Sequence, residues 1–244
     1  MIVNPIIGGG SGGNTDVEDG LILKTITEYS NDRIASIGNG AFAYCSALTS
    51  VNFPVVTSIA GSAFLYCTAL TSANIPMATN IGNDTFAHCS ALTSVNFPVA
   101  TKIAGSAFFA CSVLTSVSFP MVVNIGSSAF QRCAALTSVS FPAATSIGSY
   151  AFLSCSSLTS VSLPVATSIC GYAFYQCSSL TALYLNNSSV CVLANKNAFN
   201  STPMSNSTYT GTFGSIYVPA SLVASYQTAT NWTVYSSRIT AIPE

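Results

Sequence analysis

Residues 41–54 read AFAYCSALTSVNFP, and residues 63–76 read AFLYCTALTSANIP. The phrase returns as AFFACSVLTSVSFP at 107–120, AFQRCAALTSVSFP at 129–142 and AFLSCSSLTSVSLP at 151–164. Its phase is strict. Isoleucine recurs at Ile37, Ile59, Ile81, Ile103, Ile125, Ile147 and Ile169, and phenylalanine at Phe42, Phe64, Phe86, Phe108, Phe130, Phe152 and Phe174. Leucine follows at Leu48, Leu70, Leu92, Leu114, Leu136, Leu158 and Leu180. A step of 22 residues is too short for two helices, and no stretch keeps a helical 3.6 period. It suits one short strand and one return segment per turn, which is a solenoid.

Within a repeat, Leu-Thr-Ser-Val-Asn-Phe is the strand. Leu48, Val51 and Phe53 are expected inside, with Thr49, Ser50 and Asn52 outside. Pro54 cannot donate to a ladder and ends the strand. Ile37, Ala41, Phe42 and Cys45 are expected to enter the core from the opposite wall. One unit cannot bury its own apolar face, but stacked neighbours can, at about 1.5–3 kcal/mol for each Phe or Leu buried.

The consensus Ile-Gly-x-x-Ala-Phe-x-x-Cys-x-x-Leu-Thr-Ser-Val-x-Phe-Pro resembles the BspA-like branch of the leucine-rich repeat proteins, over residues 34–185. Glu18-Asp-Gly-Leu-Ile before the array and Ile216-Tyr-Val-Pro-Ala-Ser-Leu-Val-Ala-Ser-Tyr after it resemble segments that flank such repeats. The resemblance implies an α/β, strand-rich fold. This is a leucine-rich repeat solenoid with a parallel β-sheet on its concave face and short irregular or helical-turn return segments. It also implies a surface or secreted binding protein of bacteria or some protists, hence a cell-surface or extracellular location, and no catalytic residues.

Composition agrees with a role other than chemistry. The chain of 244 residues is 50% hydrophobic and 5% charged, with a formal net charge of −1. There is no basic field to attract nucleic acid or an anionic membrane. No apolar run reaches the roughly 20 residues of a membrane span. Met1-Ile-Val-Asn-Pro-Ile-Ile lacks the basic and long apolar regions of a secretory leader, so either the chain is not exported by that route or the leader is absent from this sequence. Charge gathers between Asp16 and Arg33, whereas Asp84, Lys102 and Arg132 stand alone between Ile34 and Leu185. Solenoid ends need polar cover. The expected organisation is therefore a flexible Gly-rich segment at 1–15, an N-terminal cap at 16–33, seven repeats at 34–185, and an irregular last repeat with an insertion and C-terminal cap at 186–244. After Leu185 the period slips, since Ile216-Tyr217-Val218 arrives late, though Asn197-Ala198-Phe199 still echoes the phrase. Ser221–Tyr226 is the candidate helix behind Pro219, and Trp232 is expected to plug the open end of the core.

Cys45, Cys67, Cys89, Cys111, Cys133, Cys155 and Cys177 form one column. Zinc sites use paired spacings such as C-x₂₋₄-C, which do not occur here. Adjacent strands lie within disulfide reach, yet seven residues cannot all pair and all share a core-facing phase, so inert packing is expected. Cys170 and Cys191 lie outside the column, and a bridge between them stays open. Gly8–Gly13 satisfies G-x-G-x-x-G without a following helix or a βαβ unit, and reads as a linker. His88, the sole histidine, has no catalytic partner in its repeat and is expected to be exposed and idle. No cofactor, metal site or enzyme activity is expected.

The surface is as regular as the core. One outward ladder is Thr49, Thr71, Thr93, Thr115, Thr137, Thr159 and Thr181, with Ser50 to Ser160 beside it. A second runs Asn52, Asn74, Asn96, Ser118, Ser140, Ser162 and Tyr184. These are the candidate binding residues, and the resemblance places them on the concave sheet. They also suit a plain soluble strand surface. The favoured reading is a noncatalytic adhesion module for a protein or cell-surface partner, weak per site or multivalent, because the repeat strands lack aromatic and arginine anchors. The alternative is a spacer or scaffold in a surface appendage or phage tail assembly. Ice binding and carbohydrate binding are minor readings.

Overall fold

The computed structural model describes residues 25–205 and 213–243. The Gly-rich segment 1–15 and the acidic part of the expected N-terminal cap through residue 24 lie outside the described residues, as do residues 206–212 of the insertion. The described chain winds into a parallel β-solenoid of about nine turns with little helix.

Strands are numbered in chain order. One wall carries β1 (Glu28–Ser30), β3 (Ser50–Asn52), β5 (Ser72–Asn74), β7 (Ser94–Asn96), β9 (Ser116–Ser118), β11 (Ser138–Ser140), β13 (Ser160–Ser162), β15 (Ala182–Tyr184), β17 (Ser215–Val218) and β18 (Ile239–Ala241). Their register follows the repeat, as in Ser50↔Ser72, Val51↔Ala73 and Asn52↔Asn74. Ladder pairing runs β1-β3-β5-β7, then β9-β11, then β13-β15-β17-β18.

The return segment holds a second ladder that the repeated phrase does not announce. Two-residue strands β2 (Ser36–Ile37), β4 (Ser58–Ile59), β6 (Asn80–Ile81), β8 (Lys102–Ile103), β10 (Asn124–Ile125), β12 (Ser146–Ile147), β14 (Ser168–Ile169) and β16 (Val192–Leu193) form one continuous parallel sheet. The third wall consists of turns. Two residues per repeat adopt left-handed backbone there, for example Ser62 (φ 56°) and Tyr66 (φ 59°). Such a conformation is uncommon for a residue with a side chain. It is held because the turns bond between repeats, with Phe64 N–H donating to Thr85 O at 2.8 Å and Tyr66 N–H to Ala87 O at 2.9 Å.

The core is built from files of like residues. Phe42, Phe64, Phe86, Phe108, Phe130, Phe152, Phe174 and Phe199 stack with centroids 5.1–5.4 Å apart and planes within 2–11° of parallel. The leucine, isoleucine and cysteine files beside them are buried.

Each end is closed by rings. Tyr29 on β1 packs against Phe42 at 5.1 Å and Phe53 at 5.5 Å. After Leu185 the period lengthens, and β15 pairs with β17 as Leu183↔Ile216. A 3₁₀ turn (Ala220–Leu222) and helix α1 (Val223–Thr228) follow Pro219, a little beyond the segment expected from sequence. They bring Trp232 to within 6.0 Å of Phe199, while Tyr235 meets the same ring edge-on at 5.4 Å. Both cap rings find partners for their polar atoms. Trp232 Nε1–H donates to Cys191 O at 2.7 Å, and Tyr235 OH donates to Lys196 O.

One of the tightest points between turns is Gly126, the residue after the core Ile125. A Cβ on Gly126 would lie 2.5 Å from the carbonyl carbon of Ala104 and 2.7 Å from its oxygen. Those are backbone atoms that cannot swing away. Gly126→Ala is therefore expected to cost about 1–3 kcal/mol of overpacking and to lower Tm by several degrees in a circular-dichroism melt. Ser127→Ala, at an exposed neighbouring position, is the control and leaves Tm unchanged.

Candidate functional site

The outward positions of the strand wall line up as the repeat dictates. Thr71 to Thr181 are exposed and Thr49 is half-buried; Asn52 to Ser162 are exposed, and Tyr184 is half-buried against Tyr217, its ring stacked at 4.7 Å. Much of the threonine file is turned to structural use. Thr71 Oγ1 donates to Thr49 O at 2.9 Å, Thr93 to Thr71 O at 3.0 Å and Thr137 to Thr115 O at 3.0 Å. The asparagines form a ladder of their own: Asn96 Nδ2 donates to Asn74 Oδ1 and Asn74 Nδ2 to Asn52 Oδ1, each at 2.7 Å.

That side-chain ladder stops at Ser118, whose hydroxyl is too short to reach Asn96. Backbone pairing is interrupted at the same step, between β7 and β9, and again between β11 and β13. A recess of 590 Å³ opens at the first of these, lined by Thr93, Ser94, Asn96, Ser116, Ser118, Ser138 and Ser140 around Val95, Val117 and Val139. Val95 and Val139 are half-buried, whereas Val51 and Val161 in the paired sections are buried. The recess thus combines hydroxyl and amide groups with an apolar floor. Four of the fourteen residues expected from sequence line it (Thr93, Asn96, Ser118 and Ser140), and Thr115 lies at the step between β7 and β9. The other nine are strung along the same wall and do not converge on it.

Sequence reasoning missed a file on the turn wall. Tyr44 and Tyr66 stack at 5.3 Å, Tyr66 and His88 at 4.3 Å, and His88 meets Phe109 edge-on at 5.1 Å. Arg132 then sits over Phe109 at 5.8 Å. His88 is half-buried between rings, not exposed as expected, because its 22-residue phase places it directly on Tyr66. The signal was present in the spacing of Tyr44, Tyr66 and His88, but Ala110 and Arg132 interrupt the aromatic pattern. These are residue types that anchor interfaces, yet they stand on a different wall from the threonine ladders.

The cysteine column has a bonding role. From Cys67 to Cys177 each Sγ–H donates to the carbonyl of the phenylalanine in the preceding repeat at 3.0–3.2 Å. That carbonyl also accepts the N–H of its own repeat's cysteine, as Phe42 O does from Cys45 N at 3.1 Å. Burial pushes the Cys89 and Cys133 thiols up to about 12, and Cys111 and Cys155 well above the usual thiol range. Cys67 is raised by its hydrogen bond with Cys45 and by burial. Thiolate is the reactive form, so these groups are inert at neutral pH. None of the nine cysteines forms a disulfide, Cys170 and Cys191 included. Cys170 alone is half-buried. Titration with an aromatic disulfide reagent at pH 8 should modify Cys170 rapidly and the buried eight only after unfolding. Rapid modification of several thiols in the native protein would contradict this burial.

No group of three or more His, Cys, Asp or Glu able to hold a metal occurs among the described residues. No helix among them is long and apolar enough to cross a membrane.

The BspA type leucine rich repeat region model matches residues 23–137 and 101–220. The chain belongs to that family. A leucine-rich repeat protein from Bacteroides ovatus superposes with a TM-score of 0.65 at 27% identity, covering 79% of this chain and 54% of that one. The leucine rich repeat protein of T. pallidum gives 0.54 at 30% identity, covering 56% of this chain and 69% of that one. One from Eubacterium ventriosum gives 0.52 at 22% identity, covering 73% and 43% respectively, a likeness of fold. The chain thus spans about half the length of the Bacteroides ovatus protein. No curated protein matches it.

Proposed function

We propose that the protein is a noncatalytic binding module that recognises a protein or cell-surface partner through the strand wall. The observation that carries this is the recess between β7 and β9, where the regular wall offers hydroxyls, an amide and an apolar floor together. The other threonine hydroxyls of the wall, that of Thr93 at the recess included, are donated to the neighbouring backbone. Among the described residues the Thr115 hydroxyl, at the interruption, has no protein partner, which leaves it available to a ligand. Membership of a repeat family whose motif consists of core and turn positions supports binding over chemistry. The recess has no arginine, and its one aromatic, Phe97, is buried, so single-site affinity is weak and display in several copies strengthens it.

The test is a screen of the chain, displayed multivalently, against extracellular matrix proteins, glycans and whole cells, with Thr93→Lys/Thr115→Lys as control. The expected result is saturable binding that falls roughly tenfold or more in the double variant, the loss that follows from about 1.4 kcal/mol. Binding unaffected by the two lysines, or no binding in the multivalent format, would overturn this reading. The second outcome would favour a spacer or scaffold.

A further inference from the structure

The aromatic file of the turn wall ends at Arg132, and a groove begins there. Two files of residues line it, stepping from turn to turn: Arg132, Ser154, Gln176 and Ser201 on one side, and Ala134, Ser156 and Ser178 on the other. They enclose 460 Å³ across four turns, a length of about 14 Å at a strand spacing of roughly 4.8 Å. One end is cationic. The exposed Arg132 guanidinium sits over Phe109 at 5.8 Å, a cation–π contact that ties it to the wall and engages none of its N–H donors. No acidic side chain on these turns can pair with it. From Thr85 to Pro243 the chain holds no Asp or Glu, while Lys102, Arg132, Lys196 and Arg238 are cations; every carboxylate side chain but Glu244 lies at or before Asp84. The near-zero net charge thus hides an acidic first third and a basic remainder. Beyond Arg132 the groove offers mainly acceptors. Ser154 Oγ donates to Gln176 Oε1 at 3.0 Å, and Ser156 Oγ to Ala134 O and Ser178 Oγ to Ser156 O, both at 3.4 Å. Each of these serines gives its proton to the protein and keeps oxygen lone pairs for a ligand's donors. Gln176 Nε2 has no partner among the described residues and adds one amide donor.

We propose that this groove binds a carboxylate-bearing sugar, with the carboxylate on Arg132 and the ring hydroxyls donating to the serine oxygens. Charge selects an anion. A planar guanidinium pairs with a carboxylate through two N–H donors, and these turns hold no acidic group to repel it. The balance of donors and acceptors selects the rest of the ligand. A bare sulfate or phosphate brings acceptors only, and past Arg132 and Gln176 it would meet serine oxygens whose protons are already given. An acidic peptide brings a carboxylate without a cluster of hydroxyl donors beside it. A sugar acid carries both, and its C–H face can lie on the Ala134 methyl. The groove shares no lining residue with the recess between β7 and β9, so it goes beyond the function proposed above and does not rest on it.

Titration calorimetry of the full chain tests the site. The probes are trigalacturonate and sialyllactose, which carry a uronic and a sialic carboxylate, with maltotriose, inorganic sulfate and an oligoglutamate peptide as comparisons. At least one acidic sugar should bind saturably, and more weakly as salt is added; the tighter of the two identifies the kind of acid. Arg132→Gln should weaken that binding about tenfold or more with Tm unchanged, because Gln176 already occupies the same left-handed turn position (φ 60° against 63° for Arg132). Arg132→Lys should restore only part of it, since the ammonium keeps the charge and loses the fork. Thr93→Lys/Thr115→Lys should not weaken it, which separates this site from the recess. Silence from both acidic sugars at millimolar concentration, or binding indifferent to Arg132→Gln, would overturn the proposal. Equally tight binding of maltotriose, sulfate or the glutamate peptide would overturn the choice of a sugar acid.

Discussion

Each turn of this molecule is held to the next by one contact repeated along its axis: a phenylalanine ring on the ring of the neighbouring turn, with a cysteine S–H on the phenylalanine carbonyl. The rings stack at 5.1–5.4 Å and the thiols donate at 3.0–3.2 Å. Both distances demand that the backbone of one turn lie close above the next, and the rest of the fold follows from that demand. It requires glycine at Gly126, where a Cβ would enter the previous turn's backbone. It admits left-handed residues such as Ser62 and Tyr66 because the turn wall bonds across the same short gap. The thiol suits the position because it is small and apolar enough for a core and still donates to a buried carbonyl.

A stack held only by neighbour contacts has two unsatisfied ends. Here both ends are closed by rings that carry a polar atom. Tyr29, in the Val51 column, packs tilted against the phenylalanine file at one end, and its hydroxyl accepts from Asn31 Nδ2 at 3.2 Å. Trp232, Tyr226 and Tyr235 finish the other end. Cys191 N–H donates to Tyr226 OH at 2.9 Å, so the cap is tied to the last irregular turn by hydrogen bonds as well as packing. The aromatic caps therefore complete the core and satisfy part of the backbone that a last turn would leave open.

The sequence made the repeat, the inward files and the strand wall legible, because each rests on one residue type returning at one spacing. What it concealed were features without such a mark. The Ser58–Ile59 ladder is two residues long, too short for alternation to reveal a strand. Apart from Gly40, the left-handed turns are built from residues with side chains, Ser, Tyr, Asp and His among them. The parting of β7 from β9 is invisible in the strands, since Ser-Val recurs at both, and shows only in the change from Asn96 to Ser118 along the outer ladder. The fourteen surface residues share one phase of the repeat and so one wall. Phase says nothing about which of them are already bonded to the neighbouring turn, and that is where the structure adds most.

Removal of one whole turn tests the neighbour-contact account most directly. Excision of residues 58–79 joins Thr57 to Asn80 and leaves every file in phase. Excision of residues 58–68 removes half a turn and throws them out of phase. The account predicts that the first variant keeps the circular-dichroism spectrum, a cooperative melt and the buried Trp232 emission of the full chain, with a modestly lower Tm, while the second unfolds. Equal damage from the two excisions would contradict it, because the core would then depend on the whole chain and not on each turn's contact with the next.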